Sequence, residues 1–340
     1  MINQIQQFLI ANGYQYIPID DDIIFQVYDL LINGNINTEV EVTNNDTILL
    51  YYGIYFDIKG NDAKTIEYYK KSSELGNIYA PYNLGIIYKL QGKEKEMKKY
   101  LKIAVDRLNV EAMHGLGNYY HAKKKIELME KFYGFGVDHG HVKCMISLGE
   151  YYLKKDIKLD VMVGLFLKAV EKRSIYGVNN LVIHYTNIGD VENKIKYLKM
   201  GGEFGYLNSY VELGVHYEGV GDCDHMMENY MIAVNKGSVD AMFNLGCYYK
   251  KLGDVDNMEK YIMMCFDRGY DESIFELIDY YRNDKEKYLK YNIMGLMNDE
   301  CVDNINKYLA DEFDVTVAQI CKRKLSDVIR DRFATFLANC

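Results

Sequence analysis

The sequence predicts an all-α protein built from about eight helix-turn-helix units. Three observations carry that reading. A five-residue pattern, Leu-Gly-x-x-Tyr, returns at steps of 32 or 33 residues; apolar residues within each unit recur at three- and four-residue steps; and a glycine followed by a polar residue interrupts most units half-way. With the glycine as reference, the equivalent positions are Gly53, Gly85, Gly117, Gly149, Val182, Gly214, Gly246 and Ile278. Leucine precedes seven of them, with Tyr52 in the first copy, and an aromatic residue always stands three later, from Phe56 to Tyr281. Degraded copies in the same register as intact ones are the signature of a stacked repeat array.

Residues 1–45 lie outside the register. A helix over Asn3–Ala11, an extended Tyr14–Ile19 and a helix over Asp22–Ile32 are expected to cap the first repeat, because an end repeat otherwise exposes an apolar face. Repeats then begin near 46, 78, 110, 142, 175, 207, 239 and 271 and occupy 46–298. In the copy from Val239 to Tyr270, Ala241, Leu245, Gly246 and Tyr249 share one face of a first helix. Gly253-Asp254 ends it and starts the next, since glycine adopts the left-handed conformation and a short acid caps a helix. Met258, Tyr261, Ile262 and Cys265 form the buried side of the second helix, and Gly269 closes it. The third and fourth copies put Lys123-Lys124-Lys125 and Lys154-Lys155-Asp156 at the turn, and the eighth is compressed around Asn283-Asp284. Residues 299–340 are expected to form a C-terminal helical cap, with helices over about 300–309 and 315–339. Its basic residues Lys322, Arg323, Lys324, Arg330 and Arg332 read as a solvated face.

Small residues mark close helix contact. Ala80, Ala112, Cys144, Gly177, Ser209, Ala241 and Ser273 stand four before the leucine position; Ser72, Ala104, Gly136, Gly201, Ala233 and Cys265 stand nineteen after the glycine. A glycine within a helix costs about 1 kcal/mol relative to alanine, so its recurrence implies that a neighbouring aromatic fills the space. On that ground Gly117→Leu should be costly, and Gly117→Ala far less so.

The pattern resembles the tetratricopeptide repeat (TPR): Leu and Gly, an aromatic three later, a turn glycine, then a large and a small residue in the second helix. The junction Ala233-Val-Asn-Lys-Gly237-Ser-Val-Asp-Ala241 is similar to the related SEL-like branch. The resemblance covers about 46–298, although the TPR proline is absent and the period is shorter. It implies a right-handed α-solenoid in which the first helices line a concave groove.

Composition narrows function. The 340 residues carry a formal charge of −9 with a pI near 5.4, so a nucleic-acid or anionic-membrane surface is not expected. Seven cysteines form no Cys-x-x-Cys pair, and several stand at small-residue positions, as reduced core thiols would. No segment is apolar enough to span a membrane; with no signal-like start, a cytoplasmic protein is expected. His184 and His216 take positions held by tyrosine in other copies and read as structural. His139-Gly140-His141 lacks the ligands of a metal site, Asp20-Asp21-Asp22 lacks a calcium loop, and no catalytic motif is present. No catalytic residue, metal or cofactor is assigned.

The expected function is therefore a non-catalytic scaffold or adaptor holding a protein or peptide in the groove. The alternative is an enzyme, or enzyme subunit, with its site between the array and a terminal cap. Candidate groove residues are Tyr82, Asn83, His114, Asn118, Glu150, Asn180, Glu212, Phe243 and Asn244. The basic partners that carboxylate-gripping TPR domains add to such asparagines are missing.

Overall fold

The computed structural model describes residues 1–14, 18–19, 21–35 and 45–295, and among these the regular structure is helical throughout. Contacts divide the chain into two compact units, Met1–His184 and Tyr185–Cys340.

The first unit opens with α1 (Ile2–Ala11) and α2 (Ile24–Tyr28), the latter preceded by a 3-10 turn and continued by a π-helical turn through Asn33. Gly34, at φ 73°, ends that segment. These pieces pack on one another and on α3 (Asp46–Ile58). There follow α4 (Asp62–Glu74), α5 (Ala80–Leu90), α6 (Glu94–Asp106), α7 (Val110–Ala122), α8 (Ile126–Asp138), α9 (Val142–Lys155), α10 (Leu159–Glu171) and α11 (Ile175–Asn187), which runs across the division. From α3 to α10 each helix packs against its successor.

The second unit contains α12 (Val191–Glu203), α13 (Leu207–Val220), α14 (Cys223–Asn235), α15 (Val239–Leu252), α16 (Val255–Phe266), α17 (Ile274–Tyr280) and α18 (Lys285–Met294), again with successive contacts. First helices start at 46, 80, 110, 142, 175, 207, 239 and 274. Each start lies within three residues of the expected one. The expected C-terminal cap and its basic residues fall outside the described residues, as does 36–44 of the N-terminal cap.

Turn chemistry sets these boundaries. Asn61, Asp190, Asp222 and Asp254 each follow a left-handed glycine and accept the backbone N–H three residues on, which satisfies an orphan donor of the new helix. Left-handed residues recur every sixteen positions through much of the chain: Gly60, Gly76, Gly92, Leu108, Lys124, Gly140, and again Gly189, Gly205, Gly221, Gly237, Gly253 and Gly269. The 32-residue unit is thus two near-equal halves, each a helix and a turn. Leu108, Lys124, Asp156, Lys158 and Arg173 adopt positive φ without being glycine. The third and fourth turns keep their backbone geometry although their residues resist it.

The recurrent glycine is explained by what faces it. A Cβ at Gly53, Gly117 or Gly214 would lie 2.3–2.4 Å from the ring-edge carbons of Tyr69, Tyr133 or Tyr230; at Gly149 it would meet Phe166, at Gly85 Leu101, and at Gly246 Ile262. Each partner stands sixteen residues on, or seventeen in the fourth copy with its extra residue. All of these approaches are closer than 3.0 Å, so alanine at Gly117 also meets the Tyr133 ring, with less bulk to place there than leucine. Ala80, Ala112, Cys144, Ala241, Ser72, Ala104 and Ala233 are fully buried at the helix crossings, as the small-residue series requires.

A second aromatic device is absent from the sequence reading. The aromatic three after the glycine stacks on another twelve residues later: Phe56 on Tyr68, Tyr88 on Tyr100 and Tyr120 on Phe132 in the first unit, Tyr185 on Tyr197 and Tyr249 on Tyr261 in the second. Ring centroids lie 5.4–5.7 Å apart with interplanar angles from 2° to 20°. Such pairs contribute about 0.5–1.5 kcal/mol each beyond burial, and they clamp the two helices of a repeat together.

Candidate functional site

In the first unit, α5 supplies Tyr82 and Asn83 and the start of α7 supplies Glu111, all lining one cavity of about 600 Å³. The residues after α1, Asn12 to Tyr14, form another part of its wall. Tyr14 donates a hydrogen bond to Asp57, and its hydroxyl lies 3.4 Å from that of Tyr69. Burial pushes both tyrosines well above the ordinary tyrosine range, so they hold their protons and act as donors. The Asn83 Nδ2 faces the Tyr69 hydroxyl, yet it is buried without a hydrogen-bond partner.

On α7, His114 is hydrogen-bonded through Nε2 to Ser147 Oγ at 3.1 Å and lies against the rings of Tyr133 and His141. Asn118 accepts from Tyr133 Oη at 2.6 Å. Burial, and secondarily the charge of His141, pushes His114 down from 6.5 to about 4. The unfolded chain then takes up a proton below about 6.5 while the folded ring resists it to about 4, so stability present above pH 6.5 is lost on descending through that window. The thermal midpoint of the parent is expected to fall relative to His114→Asn between about pH 7 and 4.5. Parallel curves for the two proteins would remove His114 from this role.

His141 lies between two other groups, with Nδ1 3.2 Å from Cys144 Sγ and Nε2 3.2 Å from Glu111 Oε1. The series looks like a thiol, base and acid. The thiol is nevertheless fully buried and pushed up to about 12 by burial, which keeps it protonated and inert. His139 points elsewhere, its Nδ1 2.8 Å from the Phe135 carbonyl. Among the described residues no three His, Cys, Asp or Glu side chains are placed to share a metal ion.

The remaining first-unit candidates are spent locally. Asn180 is buried and donates to the Tyr176 carbonyl at 2.9 Å and to Glu150 at 3.3 Å. In the second unit Glu212 accepts from Asn208 at 3.0 Å, and burial raises its carboxyl above the ordinary range. Phe243 packs against both hydrophobic clusters of that unit and edge-on to Tyr270, and Asn244 lies at the Tyr230 hydroxyl.

One relation organises these polar groups. Where the residue filling the glycine notch is a tyrosine, its hydroxyl meets the side chain fourteen residues on: Tyr69 meets Asn83, Tyr133 meets Ser147, and Tyr230 meets Asn244. Where the notch is filled by Leu101, the position fourteen on is Gly115, where a Cβ would lie 3.9 Å from that leucine. Asparagines two before the glycine are therefore partly interior partners of the preceding repeat. A tyrosine-to-amide interval of fourteen is the sequence signal that would have shown it.

The helix pairing, the glycine notch and the half-unit turns are those of a helical repeat. The sequence profile of the tetratricopeptide repeat matches residues 239–268. A Sel1 repeat protein from Oxalobacter formigenes superposes with a TM-score of 0.55 at 16% identity, over 85% of this chain and 92% of that one. The fold is that of a TPR/SEL-like repeat array. A protective antigen of uropathogenic Escherichia coli with an SLR fold aligns over 96% of this chain and 74% of its own, at 17% identity and a TM-score of 0.49. No curated protein matches the sequence. Among the described residues, no helix is long and apolar enough to cross a membrane.

Proposed function

We propose that this protein is a non-catalytic scaffold or adaptor that holds a protein or peptide partner on the faces of its first helices. The observation that carries the reading is the cavity beside Tyr82 and Asn83, concave and part apolar, with an unsatisfied donor but no side chain equipped for nucleophilic chemistry. Its lining contains no cysteine, histidine, serine or lysine. The fold supports the reading as an analogy, since helical repeats of this kind commonly serve protein–protein interaction. An enzymatic site in this cavity would have Tyr14 and Tyr69 as its titratable hydroxyls, and burial holds both protonated.

Partners captured from the native cell would be identified by mass spectrometry and their affinities measured. Tyr82→Ala is expected to weaken binding by about 1–3 kcal/mol, as loss of a half-buried aromatic anchor does. Phe243→Leu keeps most of the packing against the two clusters and is expected to weaken it less. Affinity is expected to change little with salt, because amide and aromatic contacts outnumber charges among the candidates. A partner indifferent to both substitutions, or one released by moderate salt, would refute the reading.

A further inference from the structure

We infer that this protein associates with a second copy of itself through the edge formed by the turns within its repeats, the lysine-bearing turns of one copy meeting the acidic turns of the other. The surface is distinct from the first-helix faces, and the inference does not rest on the scaffold reading.

The residue that starts the second helix of a repeat changes sign along the chain. In the first unit it is Asn61, then Lys93, Lys125 and Lys158, and none of these lysines caps its helix. In the second unit it is Asp190, Asp222, Asp254 and Asp284, each of which accepts the backbone N–H three residues on. An acid at this place needs no further reason. Lysine does, because it forfeits the cap and sets a positive charge against the positive end of the helix dipole. Lys158 has a local use in its 2.7 Å pair with Glu130. Lys93, Lys95, Lys125 and Lys155 are exposed and, among the described residues, meet no carboxylate; Lys93 reaches only the face of Tyr88, at 5.8 Å. Of the acids on the same turns, Glu94 is held by Lys98 and Lys123. The rest, Glu96, Glu127, Asp156 and Asp160, are outnumbered by these lysines together with Lys124 and Lys154.

The acidic edge is available as well. Glu192, Asp224 and Asp256, two residues after the capping acids, are exposed and form no ion pair among the described residues. Lys196 and Lys260, one turn on, lie over the rings of Tyr197 and Tyr261, and Lys251 is held by Glu218. Beside the acids stand Ile188, Val220 and Leu252, 59%, 64% and 61% exposed, where the first unit has Lys59, Gln91, Lys123 and Lys155. A row of carboxylates next to a row of aliphatic side chains matches what a lysine presents, a charged head on an apolar stem. Both rows recur every 32 residues, the interval between Lys93 and Lys125. A partner whose cations come at the pitch of these acids is this chain itself.

Salt dependence separates this contact from general self-association. Two chains of formal charge −9 repel as wholes, so salt that screens the repulsion favours an unspecific contact. Pairing of opposite edges responds with the reverse sign. Sedimentation velocity of the full chain at about 100 μM is expected to show association in about 20 mM salt and its loss in about 300 mM, the dissociation constant rising at least about tenfold.

Lys93→Asp combined with Lys125→Asp is expected to abolish association while raising the thermal midpoint measured in high salt, because each substitution supplies the missing cap. A merely destabilised protein cannot give that pair of results. Glu192→Lys, Asp224→Lys and Asp256→Lys combined, which leave the capping acids in place, are expected to abolish association too. Equimolar mixing of the two variant proteins is expected to restore it, since the first keeps the acidic edge and the second the basic one. Circular dichroism verifies the fold of each. A parent that stays monomeric in low salt, association that salt leaves unchanged or strengthens, parent-like association of either variant, or a mixture that stays apart overturns the inference.

Discussion

Gly117→Ala is expected to lower the stability of the first unit by about 2 kcal/mol, and Gly117→Leu by more than about 4 kcal/mol. An ordinary helical Gly→Ala change gains up to about 1 kcal/mol, because alanine loses less backbone freedom. Here the new methyl would lie 2.3 Å from the Tyr133 Cδ1 and Cε1, at the ring edge and not at a flexible tip. That ring is 1% exposed and its hydroxyl is held by Asn118, so it has no free direction in which to swing. Overlap therefore outweighs propensity. Gly134 in α8 and Gly164 in α10 meet nothing within 4 Å of a built Cβ, and Gly134→Ala and Gly164→Ala are expected to stabilise by about 0.5–1 kcal/mol. Gly246→Ala should fall between, since the nearest atom is Ile262 Cδ1 at the end of an aliphatic chain. Urea midpoints for the four alanine variants test the ordering. A shift of one sign and size at all four positions would show that propensity, and not the notch, governs these glycines.

Leu108→Gly, Lys124→Gly and Arg173→Gly are each expected to stabilise by about 1 kcal/mol, and by about 2–3 kcal/mol together. Each residue stands at φ between 56° and 62°, where a Cβ crowds the following carbonyl at a cost of about 1–2 kcal/mol. Glycine relieves that cost, and part of the gain is offset by its greater freedom in the unfolded chain. The three turns are separate, which favours additivity. Lys123→Gly is the control: one position earlier, at φ −82°, the same change should destabilise. Unchanged midpoints for the triple variant would mean that these turns relax without strain.

Much of the architecture was legible because it is local and repeated. A five-residue pattern at one interval located every first helix within three residues, and glycine-polar pairs located most turns, since both depend on backbone preferences within a few residues. The glycine's need for a large neighbour was legible as well, although the expected aromatic is replaced by Leu101 at Gly85 and by Ile262 at Gly246. Which residue it was, sixteen or seventeen on, and how little room it leaves for alanine required the packed helices. Leu108 and Arg173 were not recognisable as left-handed from residue type, because the turn is imposed by the helices on either side.

The candidate site divides in the same way. Tyr82 and Asn83 were readable as positions on a first-helix face, and they do line a cavity. Asn180 occupied an equivalent position by count, but its amide is satisfied by the Tyr176 carbonyl and Glu150. Phe243 was readable as an aromatic on the same face, yet its ring belongs to the packing of the second unit. Periodicity assigns a residue to a face; it does not determine whether a neighbour has already used that residue's hydrogen bonds or surface. The sequence by itself determined the repeat, its helices and most of its turns, because those follow from propensities over a few residues. The tertiary structure alone decided the cavity, which brings Tyr14, Asp57, Tyr69, Asn83, Leu108 and Glu111 together from across nearly a hundred positions of the chain.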